Sequence, residues 1–286
     1  MNTTQLSGKP VAQALDAATR AAAEKLSASG TPPVLAIVRV GADASAVSYE
    51  RSIAKRADSC GVAVKSVVFG AGTAMPELLS RIAELNADAS VHAVMLFRPL
   101  PEGLDEQAAC EAIAPQKDVD GCTCASLAGV FAGHGAGFPP ATAAACIEVA
   151  DHYGVELAGK RVLVVGRSLV VGRPLAMLML SRDATVTLAH SKTPDMPALV
   201  RAADVVVAAA GRAGLVGADC MRPGQVVFDV GVNVGEDGKL RGDVDADAAC
   251  SADVAFTPVP GGIGAVTTSV LLSHAVRAAG RLSRAS

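Results

Sequence analysis

The chain has 286 residues, 51% of them hydrophobic and only 3% aromatic, with no Trp and a formal net charge of −3. That length suits two modest domains or one large one, and the apolar content supplies a sizeable core of Ala, Val and Leu. The slightly acidic balance excludes a phosphate-backbone binder, which would need a basic stripe, so no nucleic-acid partner is expected. The apolar runs are strand-length and broken by Gly, Arg or Asp, so no membrane helix is expected either. The seven scattered Cys, with no signal-peptide pattern ahead of them, read as reduced thiols of a cytoplasmic protein.

Residues 9–29 carry helical spacing that Gly30 ends. A strand is predicted over 33–40, a helix over 43–60 stopped by Gly61, an alternating strand over 62–69, a helix over 75–85 and a strand over 91–97. This rhythm predicts a parallel sheet covered by helices. The stretch 98–140 reads as loop-rich. A helix over 142–153 leads into a second rhythm, with strands at 161–165, 184–188, 204–209, 225–229 and 253–256 and a last helix over 265–280. The predicted fold is α/β: an N-terminal α/β domain (1–140, rejoined by 265–286) and a Rossmann-type domain (141–264).

The second rhythm opens on the most telling stretch of the chain. The apolar run Val162–Val165 ends at Gly166, Gly172 follows six residues later, and Arg173-Pro174 opens a helical pattern. A buried strand that turns at glycine into a helix N-terminus outlines a dinucleotide-phosphate site, although the spacing differs from GxGxxG. Arg167, Ser168 and Arg173 place donors where a pyrophosphate would sit. An NAD site is expected to carry an acid after the next strand, to hold the ribose 2′-hydroxyl. Here His190, Ser191, Lys192 and Thr193 stand there instead, which favours the 2′-phosphate of NADP. Ala210-Gly211 and Asp229-x-Gly231-x-Asn233 end later strands and are candidates for the same crevice, Asp229 being either a cofactor contact or a loop cap.

The motifs VGRSLVVGRP, AHSKT, DVGVN, GDVD and TPVPGGIG occur in this order over 164–264, behind Tyr49, Arg98-Pro-Leu-Pro101 and Lys117-Asp-Val-Asp-Gly121. Together they resemble the bifunctional methylenetetrahydrofolate dehydrogenase/methenyltetrahydrofolate cyclohydrolase family across nearly the whole chain. The resemblance implies a homodimer of two-domain α/β subunits with a folate cleft between the domains and NADP on the second. It implies a tetrahydrofolate ligand near Tyr49, Phe97, Arg98, Asp120, Pro260, Gly261, Gly262 and Thr267, with Tyr49 and Asp120 as the candidate catalytic residues. No metal is expected; Cys122 and Cys124 read as ordinary loop cysteines.

The chain departs from the family pattern at its chemistry. The family's Tyr-x3-Lys-x7-Gly places Ile53 at the lysine, with Lys55 about 200° around the helix. VQLPLP becomes LFRPLP, so Phe97 stands for the glutamine and Arg98 follows. DGFHxxN becomes Asp120-Gly-Cys-Thr-Cys-Ala-Ser126, PCTP becomes Pro139-Pro-Ala-Thr142, and GxGPMT becomes Gly262-Ile-Gly-Ala-Val-Thr267. Hydride removal from the methylene carbon needs positioning, whereas hydrolysis of the methenyl cation needs a positioned acid/base. The expectation is therefore an NADP-dependent methylenetetrahydrofolate dehydrogenase with cyclohydrolase activity lost or weak. Two alternatives remain: a paralogue with altered one-carbon chemistry in a specialised pathway, and a non-catalytic folate- or NADP-binding protein.

Overall fold

The computed structural model describes residues 4–135 and 137–284. It divides into two compact units, Ala14–Ala141 with Thr268–Ser286, and Met1–Gln13 with Thr142–Thr267. The divisions at 13/14 and 267/268 fall inside the helices α1 (Gly8–Ala28) and α10 (Ile263–Leu282).

The first unit is built on a parallel sheet of β1 (Val34–Val40), β2 (Ala63–Phe69) and β3 (Ala93–Leu96), in the order β2-β1-β3. The middle strand β1 is buried along five successive residues, the pattern of a parallel strand covered on both faces. Its one charged residue, Arg39, is 8% exposed and meets the buried Glu50 at 2.7 Å. Helix α2 (Ala44–Ser59) starts at Asp43, whose carboxylate accepts from Ser45 N and Ala46 N. It stops where Gly61 takes φ +71°. Helix α3 (Met75–Ala87) lays Leu78, Ile82 and Leu85 on one face, packed with Ala36, Val38, Val94 and Leu96 of the sheet.

The stretch expected to be loop-rich contains more order than its sequence suggested. It holds α4 (Glu106–Glu111), a 3-10 turn at Pro115–Lys117 and α5 (Cys124–Ala132). These elements are too short to show a period; side-chain caps from Asp105 to Ala108 N and from Thr123 to Ser126 N start the two helices.

The second unit begins with α6 (Ala141–His152) and then winds β4 (Arg161–Val165), α7 (Gly172–Leu180), β5 (Thr185–Ala189), α8 (Met196–Ala202), β6 (Val205–Ala208) and β7 (Val226–Asp229). A small hairpin of β8 (Asn233–Val234) and β9 (Leu240–Arg241), then α9 (Ala246–Ser251) and β10 (Ala255–Phe256), complete it. Five parallel strands run in the order β10-β7-β6-β4-β5, a Rossmann-type sheet in which the chain reverses its direction of travel between β4 and β6.

The sequence pattern grouped the N-terminal residues with the first domain, but the described ones among 4–13 belong to the second unit. Leu6 N donates to Phe256 O (2.8 Å) and Phe256 N to Thr4 O (3.0 Å), so the segment adds to the edge of β10. Gly8 follows with its N donating to Gly261 O at 2.8 Å, and a Cβ there would overlap the Gly262 carbonyl oxygen.

One buried titratable group in the first unit has a consequence for stability. His274 of α10 is 3% exposed, stacks on Phe138 at 4.8 Å and hydrogen-bonds through Nδ1 with Val119 O at 3.0 Å. Burial, aided by Arg277 and Arg281, lowers its pKa from 6.5 to about 4. The unfolded chain therefore takes up the proton first. The stabilisation is complete above pH 6.5 and is lost as pH falls toward about 4. The stability gap between wild type and His274→Gln, measured by urea unfolding, is expected to shrink by about 3 kcal/mol between pH 7.5 and 4.

Candidate functional site

The second unit carries a cavity of about 440 Å³ at the carboxyl ends of β4 and β6, where ligands of open α/β sheets bind. Of the residues expected to touch a cofactor, Gly166, Arg167, Ser168, His190, Ser191, Thr193 and Ala210 line it. Val165 and Ala209, at or beside the strand ends, and Met196, Arg212 and Leu215, which the motifs did not single out, complete the wall.

The two glycines of the turn are required by contact. A Cβ on Gly166, which sits at φ +129°, would overlap the Ala209 carbonyl oxygen at the end of β6. A Cβ on Gly172 would overlap the carbonyl oxygen of Gly166 itself, so the first turn of α7 rests directly on the glycine turn. The longer spacing is thus spanned by residues 167–171, which fold back on the helix: Ser168 Oγ accepts from Val171 N and Ser168 O from Arg173 N, both at 3.1 Å. Arg167, Ser168 and Arg173 remain exposed beside that N-terminus.

After β5 the loop closes on itself. Thr193 Oγ1 accepts from His190 N (2.9 Å) and His190 Nδ1 accepts from Lys192 N (3.1 Å). The Thr193 hydroxyl proton remains available for donation, and the exposed Lys192 supplies a cation. No carboxylate stands in the loop 190–193. A Cβ-free cradle at a helix N-terminus followed by a cationic loop fits a dinucleotide bearing a 2′-phosphate.

Asp229, Gly231 and Asn233 do not line the cavity; they build the loop behind it. Asp229 is 4% exposed and accepts from Gly231 N, Asp243 N and Val244 N at 2.9–3.0 Å. Burial pushes its pKa up to about 6 against those three donors. Asp243, fully buried, accepts from Ala210 N, Gly211 N and Arg212 N at 2.6–2.8 Å and from Asn233 Nδ2 at 2.9 Å. Asp243 therefore shapes the cavity wall that Ala210 and Arg212 form. The motif GDVD contains it, but nothing in the sequence distinguished it from a surface turn acid. A Cβ on Gly231 would overlap the Asp243 carboxylate, and one on Gly242 the Asp229 carboxylate.

Of the residues expected near a folate, Pro260, Gly261, Gly262 and Thr267 lie in this unit. Gly262 is buried against Pro258 O, Gly261 stands exposed at φ +100°, and Thr267 Oγ1 donates to Ile263 O within α10.

Tyr49, Phe97, Arg98 and Asp120 lie in the first unit. Tyr49 on α2 is 39% exposed, and its ring lies 5.5 Å from that of Phe97, tilted by 32°. Enclosure of the hydroxyl pushes the phenol above its ordinary pKa, although a hydrogen bond with Thr268 opposes this. Ile53, one turn on from Tyr49, is completely buried, while Lys55 is exposed on the other face of α2. Arg56 lies back on the Tyr49 face, where its Nη1 donates to Ser269 Oγ at 2.9 Å and its Nε stands 3.8 Å from Asp16.

The motif KDVDG is mostly scaffold. Lys117, 4% exposed, donates to the carbonyls of Leu85, Asn86 and Asp88 and so caps α3. Asp118 accepts from Cys122 N, Thr123 N and Ser126 Oγ. Gly121, at φ +65°, packs too closely on residues 138–140 to carry a Cβ. This holds Asp120, half-buried, against Arg98: Nη2 to Oδ2 is 3.0 Å. Burial raises the Asp120 pKa and Arg98 opposes the rise. Cys122 pairs with Cys110, not with Cys124, and this hydrogen bond pushes Cys110 down and Cys122 up. Among the described residues, no group of three or more His, Cys, Asp or Glu side chains could hold a metal ion. Nor is any helix among them long and apolar enough to cross a membrane.

The profile of the tetrahydrofolate dehydrogenase/cyclohydrolase catalytic domain matches residues 6–120, and that of the same family's NAD(P)-binding domain matches 140–283. The chain belongs to this family. It is 45% identical over 281 residues to the bifunctional protein FolD of Nocardia farcinica, covering 98% of this chain and 99% of that one. Its fold superposes with a TM-score of 0.95 on the bifunctional FolD of Campylobacter jejuni, at 33% identity and with 98% and 99% of the two chains covered. A Trypanosoma brucei methylenetetrahydrofolate dehydrogenase-cyclohydrolase, solved with NADP and an inhibitor, matches at a TM-score of 0.92 and 34% identity, over 99% and 100% of the chains. The match to the family's NAD(P)-binding domain thus covers Thr142–Thr267 of the unit that carries the glycine cradle.

The cradle gives a direct expectation. Gly166→Ala must displace the end of β6 and should cost about 1–3 kcal/mol, with dinucleotide affinity falling at least about tenfold, read by thermal unfolding and fluorescence titration. Gly214→Ala, at φ +65° but with nothing within 4 Å of its Cβ, should cost only about 1 kcal/mol and leave affinity unchanged.

Proposed function

We propose that the protein oxidises 5,10-methylenetetrahydrofolate to 5,10-methenyltetrahydrofolate with NADP, and that it hydrolyses the methenyl product weakly or not at all. The observation that carries the second half is Ile53: the family's lysine position holds a side chain that is completely buried and cannot titrate.

NADP, when bound, supplies the hydride acceptor. The chain's own residues orient it. The glycine turn and the N-terminus of α7 would receive the pyrophosphate, with Arg167 and Arg173 as countercharges. Ser191, Lys192 and Thr193 would hold the 2′-phosphate, and Asp243 would fix the wall at Ala210–Arg212. Asp229, Gly231 and Asn233 act through that wall without touching the cofactor. Tyr49 and Phe97 offer ring faces to the pteridine, and Asp120 and Arg98 offer polar atoms to its edge.

Hydride removal needs no proton relay, because the adjacent nitrogen lone pair stabilises the cation left behind. The requirement is alignment, which a preformed cradle and an aromatic wall supply. Hydrolysis must deprotonate a water and protonate a ring nitrogen, and a positioned acid/base contributes about 10²–10⁴-fold to such a step. Tyr49 stays a phenol at neutral pH because its pKa lies above the ordinary value. Lys55 faces away, and Arg56 is tied to Ser269 and Asp16. The homodimer and cytoplasmic placement that the resemblance implies are part of the same reading.

The altered pair Phe97–Arg98 favours one second reading, a folate enzyme with different one-carbon chemistry. The two are separated by initial rates. NADPH formation from methylenetetrahydrofolate is expected with NADP, with slower NADH formation when NAD replaces it, and methenyltetrahydrofolate loss is expected at the buffer rate. The double variant Ile53→Lys, Phe97→Gln should raise hydrolysis by at least about tenfold. Tight NADP binding with no hydride transfer would favour the second reading. Hydrolysis by the unaltered protein as fast as its hydride transfer would refute the first.

A further inference from the structure

Arg98 follows the buried strand β3, and its guanidinium has few commitments. Its Nη2 donates to Asp120 Oδ2 at 3.0 Å, and neither side chain makes another hydrogen bond among the described residues. The two side chains are 20% and 21% exposed, so both are partly stripped of water yet open on one side. A guanidinium has five N–H donors and a carboxylate about four acceptor sites. The pair therefore presents an open acceptor, Asp120 Oδ1, alongside unused donors of Arg98. Phe97, the residue before Arg98, has its largely buried ring 5.5 Å from that of the exposed Tyr49, and the Asp120 charge acts on the Tyr49 phenol.

An acceptor beside a donor, next to an aromatic face, complements a flat heterocycle whose edge has an N–H beside a C=O. We propose that Arg98 is a specificity-determining residue that reads the 4-carbonyl oxygen of a 2-amino-4-oxo pteridine while Asp120 takes the ring N–H and the 2-amino group. This inference rests on the folate reading above and adds an atom-level selection to it. The ion pair fixes the guanidinium before the ligand arrives, so its donors need little reordering to bind. A 4-amino pteridine would turn an N–H donor toward the guanidinium. Donor would face donor in a partly dry site, and the lost hydrogen bond to a charged group would weaken binding about 10- to 100-fold.

The test is a binding titration on the protein loaded with NADP, using tetrahydrofolate and its 4-amino analogue tetrahydroaminopterin under anaerobic conditions. The wild type should prefer the 4-oxo ligand by about 10- to 100-fold. In Arg98→Leu the preference should fall to at most about a third of the wild-type ratio, the remainder coming from the ring N–H that Asp120 accepts and the 4-amino heterocycle lacks. Where Arg98→Leu lowers the melting temperature, Arg98→Lys keeps the charge and loses the fork; its preference should be at most about a third of the wild-type ratio. Binding of both ligands with a preference that Arg98 variants leave unchanged would overturn this proposal and spare the folate reading. Binding of neither ligand to the NADP-loaded wild type would overturn both.

Discussion

Buried carboxylates that accept several main-chain N–H groups set the shape of the loops at 118–126, 210–212 and 229–244. Removing a carboxylate from water costs several kcal/mol unless hydrogen bonds replace its hydration. Asp118 meets that demand with amides of its own loop, Asp229 with one local amide and two from the 243–244 segment, and Asp243 with amides of the separate loop 210–212. Each therefore converts a flexible connection into a fixed one. Asp243 fixes the wall at 210–212, Asp229 fixes the turn after β9 that carries Asp243, and Asp118 fixes the turn that projects Asp120. The glycines beside them follow from the same requirement, since Gly231 and Gly242 leave no room for a Cβ against the carboxylates.

This scaffold separates what the chain retains from what it has changed. The dinucleotide cradle depends on glycine contacts and main-chain donors, and all of those are present. The cluster proposed to face the folate depends on individual side chains, and there the departures implied by the family resemblance concentrate: Ile53 for a lysine, Phe97 for a glutamine, and Arg98 where the family pattern has Leu. The fold tolerates these changes for simple reasons. Ile53 is buried on α2 and adds apolar packing. Phe97 stacks near Tyr49, and Arg98 finds a carboxylate. Stability is kept while the titrating group is lost.

The sequence made the fold legible wherever the pattern was long. Both βα rhythms, the start of α2 at Asp43 and its end at Gly61 follow from apolar period and capping. The glycine turn read as a candidate cofactor site, and its unusual spacing was not explicable until Gly172 was seen resting on Gly166. Three features had no local signal. The edge pairing of residues 4–6 with Phe256 joins positions about 250 apart. Helices α4 and α5 are too short for a period to show. The division of labour between Asp229 and Asp243 depends on which amides each meets, and sequence carries no record of that.

The central claim is that one reaction of the family is kept and the other is lost, and a single progress curve measures both. Purified protein is given methylenetetrahydrofolate and NADP, and samples are taken for NADPH and for methenyltetrahydrofolate until the cofactor is spent. The account predicts that methenyltetrahydrofolate accumulates mole for mole with NADPH, apart from the uncatalysed decay seen without protein. A methenyl pool that stays small while NADPH rises, with formyltetrahydrofolate as the product, would contradict it.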